Sequence, residues 1–214
     1  SFRKLPIYNK KPMSLRKGIG FCQQSVTLLG VFFCAIILRK KRYCMEEKLI
    51  YKGIIFDLVQ KDVKIKDKMY KRDIIRHPGG VGVICIIDGK ILLVRQERPA
   101  IGKETLEIPA GKLEYGEDPM ECGLRELNEE TGMACDKLEL LLSFVSTPGF
   151  CDERIWIYKA IHPRMADVKL SLDEDEEIDT LWLDLETAYE YTRNGKIDDG
   201  KTVIAISQMM AERK

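Results

Sequence analysis

The chain has 214 residues, 45% of them apolar and 8% aromatic, which is enough to bury one core of ordinary size without disulfide or metal staples. Its net charge of +1 conceals a split: residues 1–44 carry ten Lys/Arg and no Asp/Glu, leaving 25 basic against 34 acidic residues, and an acidic body of this kind is a poor nucleic-acid binder. Seven cysteines, an odd number without a C-x-x-C pair, argue against a disulfide framework or a zinc site and for a reducing, cytoplasmic setting.

The basic segment comes first. Val26–Leu38 is a run of 13 apolar or small residues between two basic clusters, shorter than the roughly 20 residues that a membrane helix needs. Extending it back to Gly18 takes in Gln23, Gln24 and Ser25, so one reading is a weak membrane anchor. A secretory signal fits less well, because "RKKR" follows the apolar run where a small-residue cleavage site belongs. The preferred reading is an upstream or expression-derived extension that is not native mature sequence. The chain opens on Ser1, and Met45 begins "MEEKLIYKGIIFDLV", where charge and pattern change to those of a folded domain. The expected division is therefore an extension at 1–44, N-terminal strands at 45–78 and the main domain at 79–214, with no membrane partner.

From Met45 onward, β-branched residues alternate with charged ones, predicting two or three strands that end near Pro78. "GGVGVICIIDGKILLVRQER" reads as a hairpin turning at Asp88-Gly89, with both halves buried on two faces. Beyond an acidic segment come strands at Leu138–Val145 and Arg154–Ile161, the acidic run "DEDEE" at 173–177, the strand-like "IDTLWLDL", and helices over Leu185–Arg193 and Lys201–Arg213. Trp156 and Trp182 lie in strand-like runs and are read as core residues.

The acidic segment has the marks of a helix: Asp118 as N-cap, Pro119 in the first turn, Glu121 three residues after the cap and Gly132 as the stop. The spacing predicts an inward stripe of Met120, Leu124, Leu127 and Thr131, with Arg125, Glu126, Glu129 and Glu130 off it. As a solvated face this arrangement is unfavourable. Glu126 and Glu130 repel across one turn, and Glu129 and Glu130 meet the negative end of the helix dipole. A divalent cation would offset both effects, and clustered carboxylate oxygens suit Mg²⁺ or Mn²⁺.

Gly111, Glu117, Arg125-Glu126-Leu127, Glu129-Glu130 and Gly132, at these spacings, resemble the Nudix box; only Met133, where the family has Ile, Leu or Val, departs slightly. The resemblance implies an α/β/α sandwich around a mixed sheet, preceded here by N-terminal antiparallel strands. It also implies metal-dependent hydrolysis of a nucleoside diphosphate linked to a second moiety. By the same resemblance Glu126, Glu129, Glu130 and the Ala110 carbonyl are metal ligands, Arg125 and Glu117 orient the acids, and Gly111 lets the loop come close.

"VRQERPA", "LEIPAGKLEYGED", "STPGFCDE" with Pro148, and "NGKIDDGKTVIAI" are similar to the ADP-ribose pyrophosphatase subfamily. That implies ADP-ribose as substrate, AMP and ribose 5-phosphate as products, and a homodimer built through the N-terminal strands. Arg98 is then a phosphate ligand, Arg72 and Tyr70 reach a partner's adenine pocket, and Glu107 either supports the metal loop or ends a strand. The base that activates water is expected outside the box, at Glu174 or Glu176 ahead of Glu153. Other enzymatic readings are a Nudix hydrolase for sugar nucleotides, dinucleoside polyphosphates or oxidised nucleotides. A non-catalytic nucleotide sensor is disfavoured by the intact acid set.

Overall fold

The computed structural model describes residues 47–172 and 177–213, and all of them lie within one compact unit. The basic segment 1–44 and the acids Glu174 and Glu176 lie outside the described residues.

The first three strands form an antiparallel sheet of their own: β1 (Lys48–Lys52), β2 (Asp57–Ile65) and β3 (Lys68–Arg76). Their alternating β-branched and charged residues suit a sheet whose two faces are both at least partly open. The β2–β3 register closes at Ile65 opposite Lys68, across a two-residue turn in which Lys66 takes a φ of 53°. One end of β3 is tied to the rest of the molecule. The Ile75 N–H donates to the Phe150 carbonyl at 2.7 Å, Asp152 N–H donates to the Ile75 carbonyl at 3.2 Å, and Arg76 pairs with both Asp152 and Glu47.

Two further sheets make the middle of the fold. β4 (Gly80–Ile84), β8 (Ala110–Lys112), β10 (Lys137–Val145) and β11 (Arg154–Ile161) line up in the order β10-β11-β4-β8, with β11 and β4 parallel and the other pairs antiparallel. β5 (Ile86–Ile87), β6 (Lys90–Arg98), β7 (Lys103–Glu107) and β13 (Asp179–Asp184) form the second sheet around β6. A short pair, β9 (Met133–Ala134) with β12 (Arg164–Met165), completes the strands.

The Asp88-Gly89 turn forms as the sequence predicts. Both residues have positive φ, 49° and 78°, as a two-residue hairpin turn of the favoured hand requires. The hairpin is short, however. The chain leaves it at Cys85, and β4 pairs with β11 and β8 instead of running on beside β6.

Among the described residues three helices cover the sheets: α1 (Pro119–Thr131), α2 (Leu185–Arg193) and α3 (Gly200–Glu212). Strand alternation explains why there are two layers of them. Val81, Val83, Cys85, Leu92, Tyr158 and Ala160 point to one side, where they pack with Cys122 and Leu127 of α1. Ile84, Ile91, Leu93 and Ile157 point to the other, where they meet Leu185 and Ala188 of α2 and Ala205, Ile206 and Met209 of α3. Neighbouring residues of one strand thus feed opposite cores, which is why these strands read as continuous apolar runs. The result is an α/β/α sandwich. Trp156 packs against the first core, whereas Trp182 stays 40% exposed because Leu181 and Leu183 take the inward positions of β13.

Among the described residues no helix is long and apolar enough to cross a membrane. The four described cysteines, Cys85, Cys122, Cys135 and Cys151, are free thiols.

Candidate active site

Helix α1 is built as its sequence dictates. The Asp118 carboxylate accepts from the Met120 and Glu121 amides at 2.9 and 3.4 Å, Pro119 needs no donor in the first turn, and Gly132 ends the helix at φ 70° with its N–H on the Asn128 carbonyl.

The orientation of the helix corrects the sequence reading. Of the expected stripe Leu127 is fully buried, but Met120 and Leu124 are 41% and 39% exposed, and the other buried residues are Cys122, Gly123, Glu126 and Glu130. The reason lies at Gly123 and in the loop around residue 111. A Cβ at Gly123 would meet the Leu138 and Val81 side chains at 2.9 and 3.0 Å, so the bare Cα lets the helix roll that face down onto the sheet. Glu126 and Glu130 are carried down with it and face the loop at residues 107–111, where β7 ends, Ile108 and Pro109 connect, and β8 begins.

That loop is shaped around the two carboxylates. The Ala110 N–H donates to Glu130 Oε2 at 2.9 Å. Gly111 sits beneath Glu126, where a Cβ would come within 1.8 Å of Oε1. Arg125 gathers the acids nearest the surface. Its Nε and Nη2 donate to Glu117 at 3.0 and 3.3 Å, and its Nη1 lies 2.8 Å from both Glu129 Oε2 and Glu126 Oε1. Burial alone would lower the Arg125 pKa; Glu117, Glu126 and Glu129 outweigh it and hold the guanidinium firmly charged. Glu117 accepts further from the Glu114 amide at 2.9 Å, and despite burial its pKa is lowered, chiefly by Arg125. Burial, with Glu117 and Glu126 nearby, pushes the Cys122 thiol up to about 12, so it is a packing residue and not a nucleophile.

The acids are not gathered as a finished cage. Among the described residues no three acid, His or Cys side chains converge on one point at ligating distance, because Arg125 and the Ala110 amide hold the glutamates where they stand. The donor set nevertheless fits a hard divalent cation. It is all oxygen, two of its carboxylates are buried, and the absence of a side chain at Gly111 lets the Glu126 carboxylate come down against the backbone beside Ala110. Glu126, Glu129 and Glu130 are the residues that would hold it.

A second charged group flanks the same loop, and only its first two members were visible from sequence. Glu107, 2% exposed, accepts from Arg98 Nε and Nη2 at 2.7 and 2.6 Å, from the Thr105 hydroxyl at 2.5 Å and from Lys201. Burial works against its charge, but Arg98, Lys201 and Thr105 together pull its pKa down to about 2. Lys201 also lies 3.1 Å from Asp199, and the Thr202 hydroxyl receives the Ile108 N–H at 2.9 Å. The signal for these residues was a polar "DDGKT" at the start of an otherwise apolar helix.

The remaining candidates are dispersed. Arg98 stays 40% exposed at the end of β6 beside Glu107. Arg72 lies on β3, opposite Lys61 in the separate N-terminal sheet, with its guanidinium 5.7 Å from the Tyr70 ring. Glu153 sits where β3 meets β11, its carboxylate 3.6 Å from His77 Nδ1 and its carbonyl accepting from Ser146.

A mixed sheet between helical layers, with one helix pressing glutamates and an arginine against a glycine loop, defines a Nudix-type hydrolase scaffold. The family model described as "NUDIX domain" matches residues 76–204, and the chain belongs to that family as one of its hydrolases. It is 44% identical over 165 residues to a protein named "Methanol dehydrogenase activator" from Bacillus methanolicus, covering 76% of this chain and 89% of that protein. To an "ADP-ribose pyrophosphatase" from Bacillus subtilis (strain 168) it is 38% identical over 174 residues, covering 80% and 93%. A crystal structure of an "ADP compounds hydrolase" superposes with a TM-score of 0.67 at 19% identity, over 78% of this chain and 90% of that one, and attests the fold.

Proposed function

We propose that the protein hydrolyses the diphosphate bond of ADP-ribose, giving AMP and ribose 5-phosphate, with Mg²⁺ or Mn²⁺ as cofactor. The observation that carries this reading is the pairing of two buried box carboxylates, Glu126 and Glu130, with a loop whose Gly111 has no side chain where the Glu126 carboxylate is seated. The likeness to the Bacillus subtilis pyrophosphatase across 93% of its length supports the choice of substrate.

The chain's own residues would divide the work. Glu126, Glu129 and Glu130 hold the cation, and Arg125 and Glu117 fix their orientation. When bound, a divalent ion supplies charge neutralisation for the diphosphate and makes water a better nucleophile, worth several kcal/mol in such reactions. Arg98, braced at one edge by Glu107, presents the rest of its guanidinium to a substrate phosphate. Glu174 or Glu176, ahead of Glu153, takes the proton from the attacking water. Arg72 serves the adenine end of a substrate held by a second copy, in a homodimer built through the N-terminal sheet.

The test is a panel of nucleoside diphosphate derivatives incubated with Mg²⁺, with products separated by chromatography. ADP-ribose is expected to give AMP and ribose 5-phosphate fastest. Preference for a sugar nucleotide, a dinucleoside polyphosphate or an oxidised nucleotide would replace the substrate, and binding without cleavage would make the protein a sensor.

A second reading, activation of a methanol dehydrogenase, is favoured by the 44% identity to the activator over 89% of its length. Dehydrogenase turnover measured with the wild type and with Glu126→Gln separates the two: stimulation that survives the substitution is independent of hydrolysis.

A further inference from the structure

We propose that the first turn of α3 is a positioning element for the metal loop, with Thr202 as its central residue; this rests on the metal-dependent hydrolase reading above. Thr202 is fully buried. Its hydroxyl has one proton, which goes to Asp199 Oδ2 at 2.6 Å, so a lone pair is what remains to receive the Ile108 N–H at 2.9 Å. Asp199 is itself fixed, accepting from the Thr202 amide at 3.0 Å and lying 3.1 Å from Lys201. Lys201 in turn reaches Glu107. Two consecutive loop residues, Glu107 and Ile108, are therefore held by two consecutive residues of α3.

The grip passes along the backbone to the site. The next carbonyl, that of Pro109, accepts from Val83 at 2.8 Å; the next amide, that of Ala110, donates to Glu130; and Gly111 lies under Glu126. The Ile108 side chain is fully buried and lies against Gly82, where a Cβ would come 2.6 Å from its Cδ1, so the loop cannot slide along β4. Thr202 sets where Ile108 stands, and Ile108 sets where Ala110 and Gly111 meet the carboxylates. Were Thr202 merely part of a helix cap, its loss would lower stability and leave cation affinity alone.

The experiment is titration calorimetry of the full chain with Mn²⁺ alone, well below the unfolding midpoint, alongside thermal unfolding without metal. Thr202→Val keeps the shape but removes both hydroxyl bonds, and is expected to weaken Mn²⁺ binding by about tenfold or more. Thr202→Ser keeps the hydroxyl and is expected to stay close to the wild type. Mn²⁺ affinity unchanged in folded Thr202→Val overturns the inference, whatever the change in midpoint. If that variant does not fold, Lys201→Met decides: weaker binding supports the positioning role and unchanged binding overturns it. A wild type that binds no Mn²⁺ removes the metal-dependent reading itself, and is told apart from failure of the inference because no difference between variants is then involved.

Discussion

The Cα of Gly111 lies directly beneath the carboxylate of Glu126, so close that a methyl group there would stand 1.8 Å from Oε1 and 1.9 Å from the carboxyl carbon. Gly111 does not have a positive φ, so it is there for space and not for backbone freedom. Gly111→Ala is therefore expected to cost little stability, about 1 kcal/mol, since the flexible end of Glu126 can swing aside. Activity pays more heavily, because the displaced carboxylate is a proposed ligand; a fall in turnover on the order of a hundredfold is expected. Steady-state kinetics and thermal unfolding on the same preparation check the split, and a parallel loss in both would sink it.

Glu126→Gln and Glu130→Gln are each expected to lower turnover by a factor of roughly 10² to 10³ at saturating Mg²⁺. Stability without metal is expected to stay within about 1 kcal/mol. A glutamine at 130 can still accept the Ala110 amide, and either change removes one charge from the pair one turn apart. Normal turnover in either variant would falsify the ligand assignment.

Glu107 gives the fold a pH dependence whose sign follows from its partners. Against the opposing effect of burial, Arg98, Lys201 and Thr105 depress its pKa from the ordinary 4.5 to about 2. A depressed carboxylate stabilises the fold above the unfolded-state value, and that contribution is lost as pH falls from about 4.5 towards 2. Glu107→Gln is expected to be less stable than the wild type at pH 7 by a few kcal/mol. Denaturant curves at pH 7, 5, 4 and 3 are expected to show the gap narrowing below pH 4.5; a constant gap means that the ion pairs contribute nothing.

The base that accepts the water proton is expected on the acidic run ahead of Glu153, which stands at the β3–β11 junction with its carboxylate 3.6 Å from His77 Nδ1. One of Glu174→Gln and Glu176→Gln is expected to lose turnover far more than substrate affinity and to recover partly at high pH. The opposite ordering, with Glu153→Gln alone impaired across the pH profile, returns the role to Glu153.

The N-terminal sheet leaves Leu49, Ile50, Tyr51, Ile54 and Ile55 between 48% and 96% exposed, a run of apolar surface that single domains rarely leave open. Sedimentation at micromolar concentration is expected to give a homodimer, and Ile54→Glu is expected to shift it towards monomer. A monomeric wild type counts against the dimer and against the role assigned to Arg72.

Most of the elements were legible because their signals are local. Asp118-Pro119 and Gly132 bound a helix through capping chemistry, and Asp88-Gly89 supplies a turn that few other pairs adopt. What sequence periodicity mistook was the direction in which α1 faces. Apolar spacing selected Met120 and Leu124, but the sheet accepts the helix at Gly123, a residue that carries no apolar signal at all. The box acids were legible from fixed spacing. Beyond the polar "DDGKT" that opens their helix, the roles of Lys201 and Thr202 were not, because their partners Glu107 and Ile108 each stand 94 residues away, and nothing in a single chain announces such a pairing.

That separation has a consequence for how the molecule comes into being. The loop at 107–111 is fastened from Val83, from Glu130 and from Thr202, so its last fastener leaves the ribosome 94 residues after Ile108. Contacts this distant in sequence are slow to form, and the strands and α1 can assemble while the loop is still loose. The site is thus finished after the strands and α1 that flank it and is the natural place for local opening to begin. The Ile108 amide, buried and bonded only through Thr202, is the atom to watch: its deuterium uptake is a clock for the intactness of the whole site, and should slow when a cation binds some distance away.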